Sequence, residues 1–385
     1  MDMNMNQRGA GSLRVLCAAI LTASLGLAGA VSALARTPSG ANVDISVFVN
    51  SGLNNPRGLR FGPDGALYVA EGGTGGANST VGKCTQAAGV GPYTGSETGG
   101  RISRIDAQGH RTTVTDTLPS SQTNAESGAL ISGVADIAFI DGKMFALLAG
   151  AGCSHGVTLP NGVVRVHRNG NWNLIANLSA FQQANPVRNP YPPDFEPDGT
   201  WWSMVAVRGD LYAVEPNHGD VDKITTDGKI TRVVDISDSQ GHVVPTSIAH
   251  RHGDFYVSNL GTFDPDQLNT QSIFKIAPSG HLTTVATGMS KVLGMTFDER
   301  GRLYVLETSY SPTDPGPEPF TGRLLRIGHN GKQEVLIDSS SGLLFFPTGM
   351  TFGPDGALYI SNVGFGPPPI GLGQILRVEL RDADD

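Results

Sequence analysis

Five oxygen-bearing side chains recur at one position of an internal repeat: Glu71, Glu215, Asn259, Glu307 and Asn362, with Leu148 as the sixth member. Carboxylates and amides at equivalent points of a repeating scaffold converge on its axis. There they suit a hard cation or a polar ligand, and glutamates so placed could also serve general acid–base chemistry. The same positions suit a structural duty, in which each side chain binds backbone amides of a neighbouring loop. The residues alone leave these uses open.

A second set stands just before each inner strand: Arg57, Ala135, Trp202, Thr246, Leu293 and Thr348. One cation, one large aromatic and two hydroxyls make a mixed lining, compatible with the mouth of a small-molecule site. Arg57 is expected to pair with Glu71 or Glu307. A calcium ion held by Glu71, Glu215 and Glu307 is disfavoured, because three carboxylates around Arg57 neutralise it; no metal and no cofactor is expected.

The remaining chemical signals are weaker. The stretch NPYPPDFEPDGTWW (Asn189–Trp202) gathers Tyr191, Phe195, Trp201 and Trp202 among prolines and acids. It reads either as a recognition surface for flat or carbohydrate-like ligands or as an aromatic-packed surface loop. Of the histidines, His155, His218 and His242 fall in long, irregular segments, whereas His110, His250, His252, His281 and His329 sit at short turns. No HExxH is present, and GGTGG (Gly72–Gly76) lacks the Lys-Ser/Thr of a phosphate loop.

The elements that must position these residues follow from the octapeptide FGPDGALY, which occurs at Phe61–Tyr68 and again, letter for letter, at Phe352–Tyr359. Pro presets φ, Asp-Gly supplies the turn, and apolar alternation on both sides gives a half-buried hairpin. Six such hairpins occur: Gly58–Glu71, Asp136–Leu148, Ser203–Glu215, Ser247–Asn259, Gly294–Glu307 and Gly349–Asn362. We label their strands A and B. Each is followed by a basic-and-apolar strand C, such as GRISRID, GDVDKIT and GQILRVE, and five of the six C strands lead through a glycine turn into a strand D. The sixth lacks its D strand, but VDISVFVN (Val43–Asn50) at the other end of the chain has that pattern. Six four-stranded units with one strand displaced to the far terminus predict an all-β, six-bladed propeller whose last blade is closed by the N-terminal strand. The 51 glycines and 24 prolines fit many short strands and turns.

In such a disc the A–B and C–D turns share one face, and here they are short. The B–C and D–A loops share the other and are long: 72–99, 149–160, 261–270 and 308–321 among the former, 119–134 and 179–201 among the latter. Long loops on a rigid scaffold are where binding concentrates, so this face is the expected functional face. Cys84 and Cys153 lie in B–C loops of adjacent blades and are expected to form a disulfide.

The first 35 residues read as an export signal: Arg8 and Arg14, the apolar run Val15–Val31, then Ala33-Leu34-Ala35. Cleavage near Arg36 would leave residues 36–385 as one propeller domain in an extracytoplasmic compartment, where two cysteines favour a disulfide. The net charge of −8, without a Lys/Arg cluster, argues against nucleic acid, and no second apolar run predicts a membrane span.

The chain resembles the ScyD/ScyE family of exported propellers, on GLNNPRGLRFGPDGALYVAEGG, GCSHG, DFEPDGTWWSMVAVRGDLYAVEPNHG and FPTGMTFGPDGALYISNVGFG. That resemblance implies secretion and a six-bladed fold. More distantly the repeats are similar to NHL, TolB-like and gluconolactonase-type propellers. The calcium lactonases of that group place Glu, Asn and Asp before their inner strands. The corresponding residues here, Arg57, Ala135, Trp202, Thr246, Leu293 and Thr348, carry neither carboxylate nor amide. The expected role is therefore a non-catalytic binding or accessory protein, taking a small molecule or a protein ligand on the loop-rich face. The alternative is a lactonase-like or other small-molecule enzyme with glutamates as acid–base groups at the channel mouth.

Overall fold

The computed structural model describes residues 33–36, 42–262, 268–313, 317–364 and 370–381. The expected signal segment up to residue 32 lies outside the described residues. Six antiparallel sheets each run A to D from the axis outward. Blade 1 comprises Pro56–Phe61, Leu67–Glu71, Thr94–Ile105 and Arg111–Gln122, and blade 2 comprises Val134–Ile140, Lys143–Leu148, Gly162–Val166 and Trp172–Asn177. Blade 3 follows with Ser203–Val207, Asp210–Glu215, Asp220–Thr225 and Ile230–Asp235. Blade 4 is Pro245–Arg251, Asp254–Asn259, Gln271–Ile276 and Leu282–Met289; blade 5 is Val292–Phe297, Leu303–Glu307, Arg323–Ile327 and Gln333–Ile337. Blade 6 combines Gly349–Phe352, Leu358–Asn362 and Gly373–Arg381 with Asn42–Leu53 from the other end of the chain. The expected closure is present, with Val43 opposite Leu380 and Val47 opposite Leu376.

The repeated octapeptide owes its spelling to one carboxylate. Asp64 Oδ1 accepts from Ala66 N inside the turn, while Oδ2 accepts from Tyr68 Oη at 3.1 Å and Arg104 Nε at 2.8 Å. Asp355 repeats this set with Ala357, Tyr359 and Arg377. The basic residue of strand C is thus the partner of the A–B turn, and Lys223–Asp210 and Lys275–Asp254 do the same in blades 3 and 4.

The core is divided among the seams between blades. Blades 5 and 6 share one cluster through Leu306, Leu324, Leu358 and Leu376; blades 2 and 3 share another through Leu147, Val163, Met204 and the fully buried Trp201. At the rim, C–D turn glycines abut the preceding blade's outer strand. A β-carbon on Gly228 would stand 2.0 Å from Ile175 O, and its φ of +94° disfavours any side chain. Overpacking and backbone strain act together there, so Gly228→Ala is expected to destabilise the protein by about 3 kcal/mol. Chemical denaturation of the two proteins checks this.

Several boundaries differ from the sequence expectation. Strands C and D of blade 1 extend to Thr94 and Gln122, so part of the segment 72–99 is ladder, with register breaks around Gly100. Ile131–Ser132 adds a fifth strand to that blade, and Ala33–Arg36 adds one outside Asn42–Leu53 in blade 6. The segment 179–201 contains most of a helix, α1 (Leu178–Ala184), capped by Asn177 Oδ1 accepting from Ala180 N. Among the described residues no helix is long and apolar enough to cross a membrane.

Candidate functional site

The five oxygen-bearing residues do end their B strands, at the loop-rich face, and their polar atoms bind within the fold. Glu71 accepts from Asn54 N, Arg101 and Ser103. Glu215 accepts from Thr200 N at 2.8 Å and His218 N at 2.5 Å. Glu307 accepts from Ser290 N at 2.7 Å and Arg323 Nε at 2.5 Å. Asn259 bridges Val243 O and Ser272 N; Asn362 bridges Leu343 O, Phe345 N and Gln374. All three glutamates are fully buried. Each fastens the incoming D–A loop to its own blade.

Arg57 departs from its expected pairing. Glu71 and Glu307 are already matched by Arg101 and Arg323, their cross-strand neighbours on strand C. Arg57 instead donates through Nη2 to Ile131 O and lies over the Trp202 ring, 4.5 Å from its centroid. Trp202 in turn donates from Nε1 to Leu293 O, reaching from blade 3 to blade 5 across the axis. Arg57 and Trp202 together plug the channel mouth. The hydroxyls of that set bond across the blades: Thr246 Oγ1 donates to Val292 O and Thr348 Oγ1 to Pro56 O, each stitching its blade to the next. Ala135 and Leu293 are buried.

Beneath the plug the channel retains a cavity of about 30 Å³, lined by Gly58, Asp136, Ser203, Ser247, Gly294 and Gly349 among others. That is room for water rather than an organic ligand. Asp136 is the charged residue the motif reading passed over, although it stands where the other repeats have Gly or Ser. Its carboxylate accepts from Ile137 N and Met204 N, and Arg60 lies 3.8 Å away; burial nonetheless raises its pKa. A β-carbon on Gly58 would sit 2.0 Å from Asp136 Oδ1, so Asp136 requires glycine at position 58.

Over the mouth, loops of blades 1 and 2 and the loop leading into blade 3 converge. Cys84 and Cys153 form the expected disulfide, with Cα atoms 6.3 Å apart, and Ala88 N donates to Phe195 O. The aromatic-rich loop is packed by histidines: Tyr191 stacks on His242 at 4.5 Å, Phe195 lies 5.0 Å from His218, and His242 Nε2 meets Asp194 at 2.8 Å. This is the packed-loop alternative for Tyr191 and Phe195.

Inside the cap is a buried polar cluster that spacing gave no sign of. Tyr93 donates to Glu196 Oε1 at 2.7 Å and lies tilted against His155 with ring centroids 4.2 Å apart, and His155 Nδ1 meets Ser121 Oγ at 2.9 Å. His155 Nε2 and Glu196 Oε2 face each other at 3.8 Å. Burial holds Glu196 well above the usual carboxylate range and presses His155 down to about 4, so the imidazole is neutral at neutral pH. Among the described residues no group of three or more His, Cys, Asp or Glu side chains is placed to hold a metal ion.

Fold and site together define a six-bladed β-propeller with a plugged axis and a capped loop face. Solved structures of the same architecture include a gluconolactonase from Xanthomonas campestris, which is 11% identical over 93% of this chain and 99% of its own, with a TM-score of 0.53. An aldose sugar dehydrogenase from Streptomyces coelicolor, solved with PQQ, is 16% identical over 90% and 100%, with a TM-score of 0.54. A putative glucose dehydrogenase from Thermus thermophilus is 17% identical over 88% and 100%, also at 0.54. At these identities the likeness is one of fold. No family model and no curated protein matches the chain.

Proposed function

We propose that this protein is an exported binding or accessory propeller that works through the loop-rich face over the channel mouth. The observation carrying this reading is how the polar groups of that face are used. Glu71, Glu215, Asn259, Glu307 and Asn362 bind inside the fold, and Thr246 and Thr348 stitch blades together. Arg57 and the half-buried Trp202 are left at the mouth. A rigid face whose carboxylates are engaged in holding loops suits recognition better than acid–base turnover.

Export is supported by the signal-like start, by the disulfide and by the resemblance to ScyD/ScyE propellers. Cleavage near Arg36 would strip most of the fifth strand from blade 6 and leave its four core strands intact. Affinity capture from a small-molecule mixture by residues 36–385, read by mass spectrometry, tests the assignment. The expected result is a ligand retained by the wild type and by His281→Ala on the plain face, but lost from a folded Trp202→Ala. Retention by Trp202→Ala together with loss from His281→Ala would place the site on the wrong face.

A further inference from the structure

Among the described residues four arginines on or near the loop-rich face are largely buried, and three of them have a carboxylate. Arg101 meets Glu71 and Arg323 meets Glu307, both at 2.5 Å, and Arg232 meets Asp220 at 2.6 Å. Arg57 is 7% exposed, and among the described residues no carboxylate stands within ion-pair distance of it. Its hydrogen bonding consists of Nη2 to one backbone carbonyl, and its buried Nε has no partner. Desolvation lowers its pKa to about 10, which still leaves it charged at neutral pH.

An indole face and one carbonyl are poor compensation for a buried guanidinium, because buried charges are ordinarily matched by an opposite charge. The surroundings limit what can supply that charge. Trp202 packs with Val244, Leu260 and Leu293 into an apolar wall beside the guanidinium. A flat apolar wall next to one planar, singly charged fork suits a ligand with a single anionic end and an apolar body. A dianion would bring a second charge that a single guanidinium does not match.

Resting on the reading of the mouth as a binding site, we infer that Arg57 and Trp202 form the recognition element for a small organic monocarboxylate. The carboxylate meets the guanidinium, and the apolar body lies against Trp202, Val244, Leu260 and Leu293. The tight packing of the plug makes the ligand small, or requires the mouth loops to part as it enters.

Calorimetric titration of the mature chain with sodium benzoate, uncharged benzamide and inorganic phosphate tests this. Benzoate is expected to bind saturably, with benzamide and phosphate at least about tenfold weaker. Arg57→Met is expected to lose benzoate by a similar factor while melting at the same temperature or higher, since an unmatched buried charge has been removed. Arg57→Lys, which keeps the charge without the fork, should weaken benzoate to an intermediate degree, and it decides the matter if Arg57→Met does not fold. Equal binding of benzoate and benzamide, no binding of benzoate, or undiminished benzoate binding by the variants overturns the inference. If benzoate fails while an uncharged compound is captured in a Trp202-dependent way, the monocarboxylate assignment falls and the binding reading stands. Loss of Trp202 dependence for every captured compound removes both.

Discussion

A chain beginning at residue 54 is expected to lose cooperative unfolding and to accumulate as aggregate. The segment Asn42–Leu53 is the outer strand of blade 6, and it inserts Val43, Ile45, Val49 and Leu53 into buried positions. Burying one such aliphatic side chain is worth roughly 1.5 to 3 kcal/mol, so four contribute about 6 to 12 kcal/mol. That is comparable to the entire stability of an ordinary domain, about 5 to 15 kcal/mol. The loss is not confined to one edge. Val43 and Ile45 pack in the seam between blades 5 and 6, and Val49 and Leu53 in the seam between blades 6 and 1. Removing the strand therefore opens the ring on both sides of the closure and bares the Gly373–Arg381 edge to other chains. Calorimetry and light scattering on residues 54–385 measure the effect. A soluble product melting cooperatively within a few degrees of the mature protein would show that the ring does not depend on this strand.

The sequence disclosed this closure because a repeat makes its own omissions visible: five glycine turns lead into D strands, and the sixth C strand ends the chain. Hairpins were legible because one Asp must serve a turn amide, a tyrosine and an arginine at once, which fixes the spelling of FGPDGALY. Side-chain pairing was less legible. Arg57 and Glu71 flank one hairpin in sequence, yet the glutamate's partner is Arg101, thirty residues on in the Gly-Arg that opens the motif GRISRID. The signal was present: GRISRID and GRLLRIG follow the B strands ending in Glu71 and Glu307, whereas GQILRVE follows the one ending in Asn362. Glu196 and Tyr93 could not be paired by spacing, because non-repeating loops from different blades bring them together and the repeat says nothing about loops.

Blade 3 breaks that pairing rule, and the consequence is pH dependence. Opposite Glu215 stands Asp220 where blades 1 and 5 have arginine, and Asp222 follows on the same face. Both aspartates are fully buried, with Glu215, Arg232 and His218 as charged or titratable neighbours. Arg232, from strand D, bonds Asp220 Oδ2, while Asp220 Oδ1 and both oxygens of Asp222 have no hydrogen bond, the Trp201 indole N–H nearby included. Burial raises Asp220 from 3.8 to about 6, and burial together with Asp220 lifts Asp222 well above its ordinary value. A carboxyl raised in the folded state favours folding fully below its unfolded pKa, and that contribution is lost as pH rises through the folded value. For Asp220 the loss runs from about 4 to about 6, and the raised Asp222 acts in the same sense. His155, depressed to about 4, acts in the opposite sense, costing stability as pH falls below about 6.5. Its contribution is common to wild type and variant, so comparing the two isolates the aspartates. Asp222→Asn replaces a buried carboxyl whose two oxygens lack hydrogen bonds by a near-isosteric amide that cannot ionise. It is expected to raise stability at pH 8 by roughly 1 to 3 kcal/mol, the range for an unsatisfied buried polar group, and to change it less at pH 4.5. Denaturant melts of both proteins across pH 4.5 to 8.5 read the difference directly. A variant destabilised equally at both ends would mean that Asp222 is ionised throughout and held by a counter-charge.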